Sequence, residues 1–283
     1  MIDLHIHTNA SDGELSAKEL VDVAIENDLK IIAITDHDTI DSVQEATDYA
    51  KGKDIEIVQG IEIRTNDPKF DYQNIDIIGL FVDSQNRELI EFTDKIKKER
   101  TIQKKKMIEK LQELGLDINF EEVAKTVNGS FGRPHIARIL LKKYPEFSSV
   151  QEVFDKYMSK GKPAYVHREY NVGIGEAIEI IKKSGGIPIL AHPGIFNKKM
   201  SVELINYFLS LGGLGIEVYY PYDKICSISS EESQKKIEFY KKLADEKNIV
   251  ISGGSDYHNK SRGSSLGKIK IPLFVVDELR KLV

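Results

Sequence analysis

The sequence predicts an α/β fold, a seven-stranded barrel of βα units that is interrupted by a helical insertion domain. Three observations lead to this prediction. Short β-branched runs alternate with stretches of helical periodicity, which is typical of βα units around a parallel sheet. One long interval shows helical periodicity only. Histidine and acidic residues follow the ends of several predicted strands, where barrel active sites are built.

Each predicted strand is a short apolar run, and most are flanked by Gly, Asp or Asn. The predicted strands are residues 2–8, 31–35, 55–63, 75–82, 187–191, 215–220 and 249–252. Between them, residues 17–27 and 174–183 place their apolar side chains on one helical face. Gly185 and Gly186 provide a natural end for the second of these helices.

Residues 85–168 break this alternation and are far longer than an ordinary βα connection. Helical periodicity is found at 87–115, 134–144 and 150–159. We therefore predict that 85–168 form a helical insertion domain, and that 1–84 and 169–283 form the two parts of the barrel. Lysines are frequent between 97 and 110, and a solvated helix face explains them more simply than an RNA-binding surface.

The composition excludes several classes of protein. Hydrophobic residues make up 41% and charged residues 30% of the 283 residues, which argues against a disordered chain or a membrane protein. The net charge of −5 gives no overall positive field for long DNA or RNA. Cys226 is the only cysteine, so an internal disulfide and a thiolate metal cage are excluded. With neither a secretory signal pattern nor a membrane-spanning run, we interpret the protein as cytoplasmic.

Histidines and carboxylates recur at the ends of the predicted strands. His5 and His7 end the first strand, and strand alternation places both imidazoles on one face. The other candidates are Asp12, His37, Glu62, His192, Asp256 and His258. Imidazole and carboxylate ligands without cysteine suit Zn, Mn or Fe, and these ligands are too many for one ion. The sequence therefore predicts a multinuclear metal site at the mouth of the barrel.

These residues resemble the ordered motifs of the PHP (polymerase and histidinol phosphatase) superfamily. The matching motifs are His5-Ile6-His7 with Asp12, Thr35-Asp36-His37-Asp38, Gly60-Ile61-Glu62, Ala191-His192-Pro193 and Ser255-Asp256-Tyr257-His258. The resemblance implies a distorted seven-stranded barrel with two or three divalent metal ions that hydrolyses phosphate esters. In the insertion, Gly132-Arg133-Pro134-His135 and Gly161-Lys162-Pro163-Ala164-Tyr165 resemble the branch that acts on nucleoside 3′,5′-bisphosphates and, in some members, on short RNA.

The resemblance also implies a role for each ligand. His5, His7, Glu62 and Asp256 would hold one ion, and Glu62 would bridge to a second ion that His192 also binds. Asp12, His37 and His258 would hold a third. Asp76 stands where this branch usually has histidine. Two interpretations stay open: Asp76 keeps the second ion and favours a harder metal such as Mn²⁺, or that position is weak or empty.

The expected nucleophile is a metal-bridging hydroxide held by Glu62, Asp256 and His192, because clustered divalent ions generate hydroxide at neutral pH. Arg133, His135 and Lys162 would bind the phosphate that does not react, near the start of a predicted helix. Asp36 and Asp38 either accept hydrogen bonds from ligand imidazoles or cap the following helix. The expected partner is a small phosphorylated nucleotide, with short RNA as a second candidate and neither long DNA nor a membrane.

Three alternative functions are considered. A histidinol-phosphate phosphatase would share the fold and the metal ligands, but the Gly-Arg-Pro-His segment favours a nucleotide. A non-catalytic metal-binding PHP module would be expected to have lost ligands, and only Asp76 deviates. An amidohydrolase commonly adds a bridging lysine on a barrel strand, and none of the candidate strand ends carries one.

Overall fold

The computed structural model describes residues 1–70, 74–126, 132–167, 169–259 and 265–283. The chain divides into two compact units. The first consists of Met1–Phe92 and Val172–Val283, and the second of Thr93–Asn171. Arg168, where the predicted insertion ends, lies outside the described residues.

The first unit is built on a seven-stranded sheet whose strands follow one another in chain order. The strands are β1 (Ile2–Ile6), β2 (Ile31–Ile34), β3 (Glu56–Asn66), β4 (Asn74–Leu80), β5 (Ile187–Leu190), β6 (Gly215–Tyr219) and β7 (Val250–Gly253). Each strand overlaps one predicted segment, although β3 continues three residues beyond its predicted end at 63. The predicted α/β class with seven strands is therefore confirmed.

The direction of β4 differs from the expected parallel arrangement. β4 is antiparallel to β3 and to β5, whereas the other neighbouring pairs are parallel. Two neighbouring parallel strands need a crossover connection of about a dozen residues or more. The link between Asn66 and Asn74 is shorter than such a crossover. As a result, the first residues of β4 lie beside the last residues of β3.

The helices agree with the predicted periodicity at most positions. They are α1 (Ala17–Glu26), α2 (Val43–Ala50), α3 (Arg87–Glu113), α4 (Phe120–Ala124), α5 (Arg133–Lys143), α6 (Val150–Val153), α7 (Ile174–Lys183), α8 (Lys198–Ser210), α9 (Tyr222–Ile225), α10 (Ser230–Lys247) and α11 (Phe274–Arg280). The prediction of one continuous α-helix over 150–159 is wrong, because α6 passes into a π-helical turn at Phe154–Met158. There the Ser159 N–H donates to the Phe154 carbonyl oxygen at 2.8 Å, which widens the turn.

Each unit has its own apolar core. In the first unit, strand residues such as Leu4, Ala33 and Ile78 are buried together with Val275 of α11. In the second, Met107 and Leu111 of α3 are buried with Ile136, Leu140 and Met158. Among the described residues, no helix is both long enough and apolar enough to cross a membrane.

Candidate metal centre

Hydrogen bonds bring the first and last predicted motifs together. The His7 N–H donates to the Tyr257 carbonyl oxygen, and the Asp256 N–H donates to the His5 carbonyl oxygen, each at 2.9 Å. The backbone of Glu62 is held in the same way, because its N–H donates to the Asp36 carbonyl oxygen at 3.1 Å. Residues distant in the sequence thus meet at one end of the sheet.

The four residues predicted to hold the first ion form a compact set of donor atoms. Nε2 of His5 lies 3.2 Å from Oε1 of Glu62 and 3.5 Å from Oδ1 of Asp256. Nε2 of His7 lies 3.3 Å from Oε2 of Glu62 and 3.1 Å from Oδ1 of Asp256. Four tetrahedral ligands about 2.1 Å from a divalent ion are roughly 3.4 Å apart, so these separations fit an ion at their centre.

The hydrogen bonding of these donors supports the same conclusion. Nε2 of His5, Nε2 of His7 and both oxygens of Glu62 are buried and pair with other predicted ligands, the shortest of these contacts being 2.7 Å from Nδ1 of His37 to Oε2 of Glu62. Buried polar atoms nearly always have a partner, and leaving one unsatisfied costs about 1–3 kcal/mol. Buried donors of this chemistry whose partners are one another fit the ligands of a metal ion.

A second group of ligand atoms lies around Asp12. Oδ1 of Asp12 is 3.0 Å from Nε2 of His258 and 3.9 Å from Nε2 of His37. The His7 and His258 rings are stacked, with centroids 4.0 Å apart. Ligand atoms of His7, Asp12, His37 and His258 all lie within 4.8 Å of one another, as a shared ion requires. The structure thus brings the residues predicted for the third ion together.

The remaining predicted ligands are Asp76 and His192. Nε2 of His192 lies 3.4 Å from Oε1 of Glu62 and 3.9 Å from Oδ2 of Asp76. Asp76, however, already accepts two hydrogen bonds from Arg64, from Nε at 2.8 Å and from Nη2 at 3.1 Å. Sequence reasoning missed Arg64, although its position two residues after Glu62 on β3 was a usable signal.

Glu217, on β6, was also missed and supports two predicted ligands. Its Oε1 lies 3.0 Å from Nδ1 of His5, and its Oε2 accepts from the His192 N–H at 2.8 Å. A carboxylate on the second nitrogen of a ligand imidazole sets the orientation of the ring and its protonated nitrogen. The signal available in the sequence was a single acidic residue in an apolar strand. Tyr220 acts similarly, because its hydroxyl donates to Oδ2 of Asp256 at 2.8 Å.

The two interpretations of Asp36 are both wrong. Its carboxylate accepts from the Thr8 N–H at 2.7 Å, from the Thr8 hydroxyl at 2.6 Å and from the Ser11 hydroxyl at 2.5 Å, and it also accepts from the Ser42 hydroxyl. Neither an imidazole nor a helical N–H is among these partners. Asp36 instead connects the loops that follow β1 and β2. The neighbouring Asp38 accepts from the Arg64 N–H at 2.8 Å.

The electrostatics of the centre depend on opposing effects. Burial, together with the nearby His258 and His37, lowers the pKa of His7 to about 4. Burial also disfavours the charged form of His192, but hydrogen bonding to Glu62 and its charge outweigh burial and raise the pKa of His192 to about 9. Burial is likewise outweighed at Glu62, where His37 and His5 hold the pKa of the carboxyl well below its usual value. In the metal-free protein, His192 therefore carries a proton that balances part of the carboxylate charge, whereas His7 is neutral at pH 7.

A cavity of about 500 Å³ opens beside these ligands. Its lining includes Asp12, His37, Glu62, Arg64, Asp76, His192, Asp256 and His258. Three residues of the centre or next to it, His192, Asp38 and Asp256, have positive φ angles of 29°, 54° and 51°. Such backbone angles cost free energy in residues other than glycine and are concentrated at functional sites.

The residues predicted to bind substrate lie in the second unit. Arg133 begins α5, its Nη1 donates to the Met158 carbonyl oxygen at 3.4 Å, and its guanidinium lies 5.5 Å from the centre of the Phe154 ring. Nδ1 of His135 accepts from the Gly132 N–H at 3.1 Å. Lys162 is exposed.

Several lysines of α3 have partners within the same unit. Lys106 pairs with Glu169 at 2.7 Å, and Lys110 donates to the Tyr165 carbonyl oxygen at 3.0 Å. Lys104 is buried and donates to the side chain of Gln103. These contacts favour the simpler interpretation of the lysine-rich segment over an RNA-binding surface.

Known proteins resemble this chain in sequence and in structure. The family model of the PHP domain matches residues 3–185. A 5′-3′ exoribonuclease from Haemophilus influenzae is 33% identical over 94% of this chain and 93% of its own length. A 3′,5′-nucleoside bisphosphate phosphatase from Chromobacterium violaceum is 28% identical over 93% of this chain and 88% of its own. The solved structure of a C. violaceum protein, described as an amidohydrolase with bound sulfate and no metal, has a TM-score of 0.81 at 27% identity and covers 99% of this chain and 96% of that protein.

Proposed function

Since this chain belongs to the PHP domain family and is a metal-dependent phosphoesterase, we propose that it removes the 3′-phosphate of nucleoside 3′,5′-bisphosphates. The observation that carries the proposal is the convergence of histidine and carboxylate donors, separated by distances that suit a metal, beside an open cavity. A relative that covers nearly the whole chain is named for the same substrate class.

The centre meets the two requirements of phosphomonoester hydrolysis, which are a nucleophile at neutral pH and neutralisation of the phosphoryl oxygens. Divalent ions supply both when bound, because they acidify water and attract anionic oxygens. The chain contributes the positions of the donors: His5, His7, Glu62 and Asp256 form one site. Asp12, His37 and His258 form another. Imidazole and carboxylate donors without thiolate favour Mn, Zn or Fe.

Three further side chains keep these donors in place. Glu217 orients the His5 ring and holds the backbone of His192, and Tyr220 holds one oxygen of Asp256. The other oxygen of Asp256 faces His5 and His7. A carboxylate held in this way keeps one oxygen directed at the site, where it would be available to a metal ion.

The proposed substrate carries a second phosphate, and we assign its recognition to Arg133, His135 and Lys162. Arg133 presents a guanidinium fork at the start of α5, and helix starts favour anions. A simple aryl phosphate lacks this second group. Recognition of the second phosphate therefore separates a bisphosphate phosphatase from an unselective phosphomonoesterase.

The decisive experiment measures inorganic phosphate released from adenosine 3′,5′-bisphosphate. The purified full chain is reloaded with Mn²⁺, and metal-free protein serves as the blank. Metal-dependent release with AMP as the product supports the proposal. Absence of release from protein that has bound metal contradicts it and directs attention to histidinol phosphate or to a module that binds metal without catalysis.

Short RNA is the second candidate substrate, since an exoribonuclease is the relative with 33% identity. The test is cleavage of a short 5′-phosphorylated RNA under the same conditions, with product lengths followed over time. An amidohydrolase activity has less support, because the described residues that line the cavity include no lysine.

A further inference from the structure

Arg64 is the only arginine or lysine among the described residues that line the cavity of the metal centre. It lies on β3 two residues after Glu62, so the two side chains share a face of the sheet. The antiparallel register of β3 and β4 places Arg64 directly opposite Asp76. The unexpected direction of β4 therefore creates the contact between these two side chains.

The guanidinium of Arg64 engages both oxygens of Asp76. Nε donates to Oδ1 at 2.8 Å and Nη2 donates to Oδ2 at 3.1 Å, which is the paired geometry of a strong arginine–carboxylate contact. The side chain of Asp76 is 7% exposed and that of Arg64 is 31% exposed, so the carboxylate end of this contact is the part shielded from water. Nη2 also lies 3.3 Å from Nε2 of His37, within hydrogen-bond distance of a second predicted ligand.

Ligand atoms of His37, Glu62 and Asp76 lie within 4.8 Å of one another, so their spacing alone would suit an ion. Arg64, however, engages both oxygens of Asp76 and lies beside Nε2 of His37, so it competes with a metal ion for two of these three residues. Without Asp76, the position predicted for the second ion would retain Glu62, which the first ion would also use, and His192. Catalytic metal sites commonly use three protein ligands. An ion placed there would also lie beside the positive charge of Arg64, which opposes its binding.

We propose that Arg64 takes the place of one metal ion, so that this chain binds two divalent ions where the ligand pattern provides for three. Arg64 is then a positioning residue that neutralises Asp76 and supplies a permanent positive charge to the cavity. The charges are consistent with this arrangement: Asp12, Glu62, Asp76 and Asp256 line the cavity, and Arg64 compensates one of them. The four carboxylates and Arg64 together carry a charge of −3, and two divalent ions would contribute +4. The site would then carry a net positive charge that attracts a phosphate dianion.

The test counts metal ions in the full chain. Protein reloaded with Mn²⁺ and desalted is analysed by inductively coupled plasma mass spectrometry, and we expect two ions per chain. This count uses the unaltered protein, so it does not depend on whether a variant folds. Three ions in the unaltered protein would overturn the proposal.

Two variants test the role of Arg64 directly. Arg64→Ala frees the Asp76 carboxylate, and the double change Arg64→Ala with Asp76→His supplies a neutral imidazole instead. We expect the count to rise from two to three in at least one of them, with circular dichroism confirming the fold. A count of two in both folded variants would contradict the proposal. The control is Arg280→Ala, which breaks a surface pair with Glu56 and should leave the count at two.

The inference relies on the proposed function only in treating the centre as a metal centre, and the two can fail separately. Two ions without release of phosphate from the bisphosphate would refute the proposed substrate and leave the role of Arg64 intact. Release of phosphate from the bisphosphate by a protein that binds three ions would support the proposed substrate and refute the role of Arg64.

Discussion

Glu217 connects two predicted ligands through one buried carboxylate. We predict that Glu217→Gln weakens metal binding by about 10–100-fold. The two carboxylate oxygens of Glu217 face Nδ1 of His5 and the backbone N–H of His192. A glutamine has only one side-chain oxygen, so one of these two groups would face an NH₂ group and lose its acceptor. Competition with a chelator of known affinity measures the change. Glu203→Gln, an exposed site on α8, is the matched control. Equal affinities in the two variants would show that Glu217 does not support the centre.

His192 predicts how metal uptake depends on pH. The pKa of His192, raised to about 9 in the metal-free protein, keeps the ring protonated at pH 7. Glu62 is the partner that raises this pKa, so a metal ion held by Glu62 would lower it again. Metal uptake at pH 7 therefore releases the proton of His192, and the affinity increases as the pH rises towards 9. The stabilisation from the protonated ring has the opposite sign: it is complete below the ordinary value of about 6.5 and is lost as the pH rises through about 9.

Titration calorimetry in buffers of different ionisation enthalpy counts the released protons. We expect fewer protons at pH 9.5 than at pH 7. His192→Gln should reduce the number released at pH 7, whereas His167→Gln, at an exposed site in the second unit, should not. A proton count that is independent of pH would contradict protonation of His192.

Arg133 tests recognition of the second phosphate. Because Arg133 is proposed to contact only that group, we predict that Arg133→Ala raises KM for adenosine 3′,5′-bisphosphate by about tenfold or more and changes KM for an aryl phosphate little. Steady-state kinetics with both substrates give the comparison. Arg138→Ala, later in the same helix, serves as control. Equal effects of Arg133→Ala on both substrates would place Arg133 outside substrate recognition.

Single residues also show where sequence reasoning stops. Ligands such as His5 and Asp256 could be predicted because strand ends of a βα barrel converge, so sequence position alone places them. Arg64 and Glu217 could have been noticed as charged residues in or beside apolar strands, but their contacts could not be predicted. Those contacts depend on which residue lies opposite or behind each side chain. That pairing is set by strand register, which local composition does not encode.

At the level of elements, the turn after β7 packs closely against β1 because Gly254 has no side chain. A Cβ atom on Gly254 would lie 2.2 Å from Cβ and 2.4 Å from N of His5. We predict that Gly254→Ala lowers the free energy of unfolding by about 1–3 kcal/mol and reduces metal content, because β1 must shift to relieve the overlap. Urea unfolding with a chelator present and metal analysis without one measure the two effects.

Gly175→Ala provides the control, since a Cβ there meets no atom within 4 Å and the residue lies in α7. It should stabilise the protein by about 0.5–1 kcal/mol. Loss of stability without loss of metal in Gly254→Ala would show that the turn supports the fold but not the centre.

Elements were predicted well where their signals are local. Short β-branched runs located all seven strands, and helical periodicity located α7, each to within a few residues. The direction of β4 was not predicted, because the parallel arrangement was inferred from the average pattern of the chain. The short connection before β4 contained the necessary information, since a short link requires an antiparallel neighbour.

The whole molecule has two apolar cores and one metal centre, and this predicts how metal removal acts on stability. Ligands that bind only the folded state stabilise the part of the molecule to which they bind. The predicted metal ligands all belong to the first unit, whereas the second unit has a core of its own built on Met107, Ile136 and Met158. We therefore expect differential scanning calorimetry to resolve two transitions, of which only one moves when the metal is removed.

The direction and assignment of that shift can be tested. The metal-dependent transition should move to lower temperature in chelator, and at 100-fold excess of metal over Kd the stabilisation is about 2.7 kcal/mol for each ion. Leu140→Ala, a buried change in the second unit, should lower the other transition and leave the metal-dependent one in place. A single transition that moves as a whole with metal and with Leu140→Ala would mean that the two units unfold together, so that binding at the centre also stabilises the helices of the insertion.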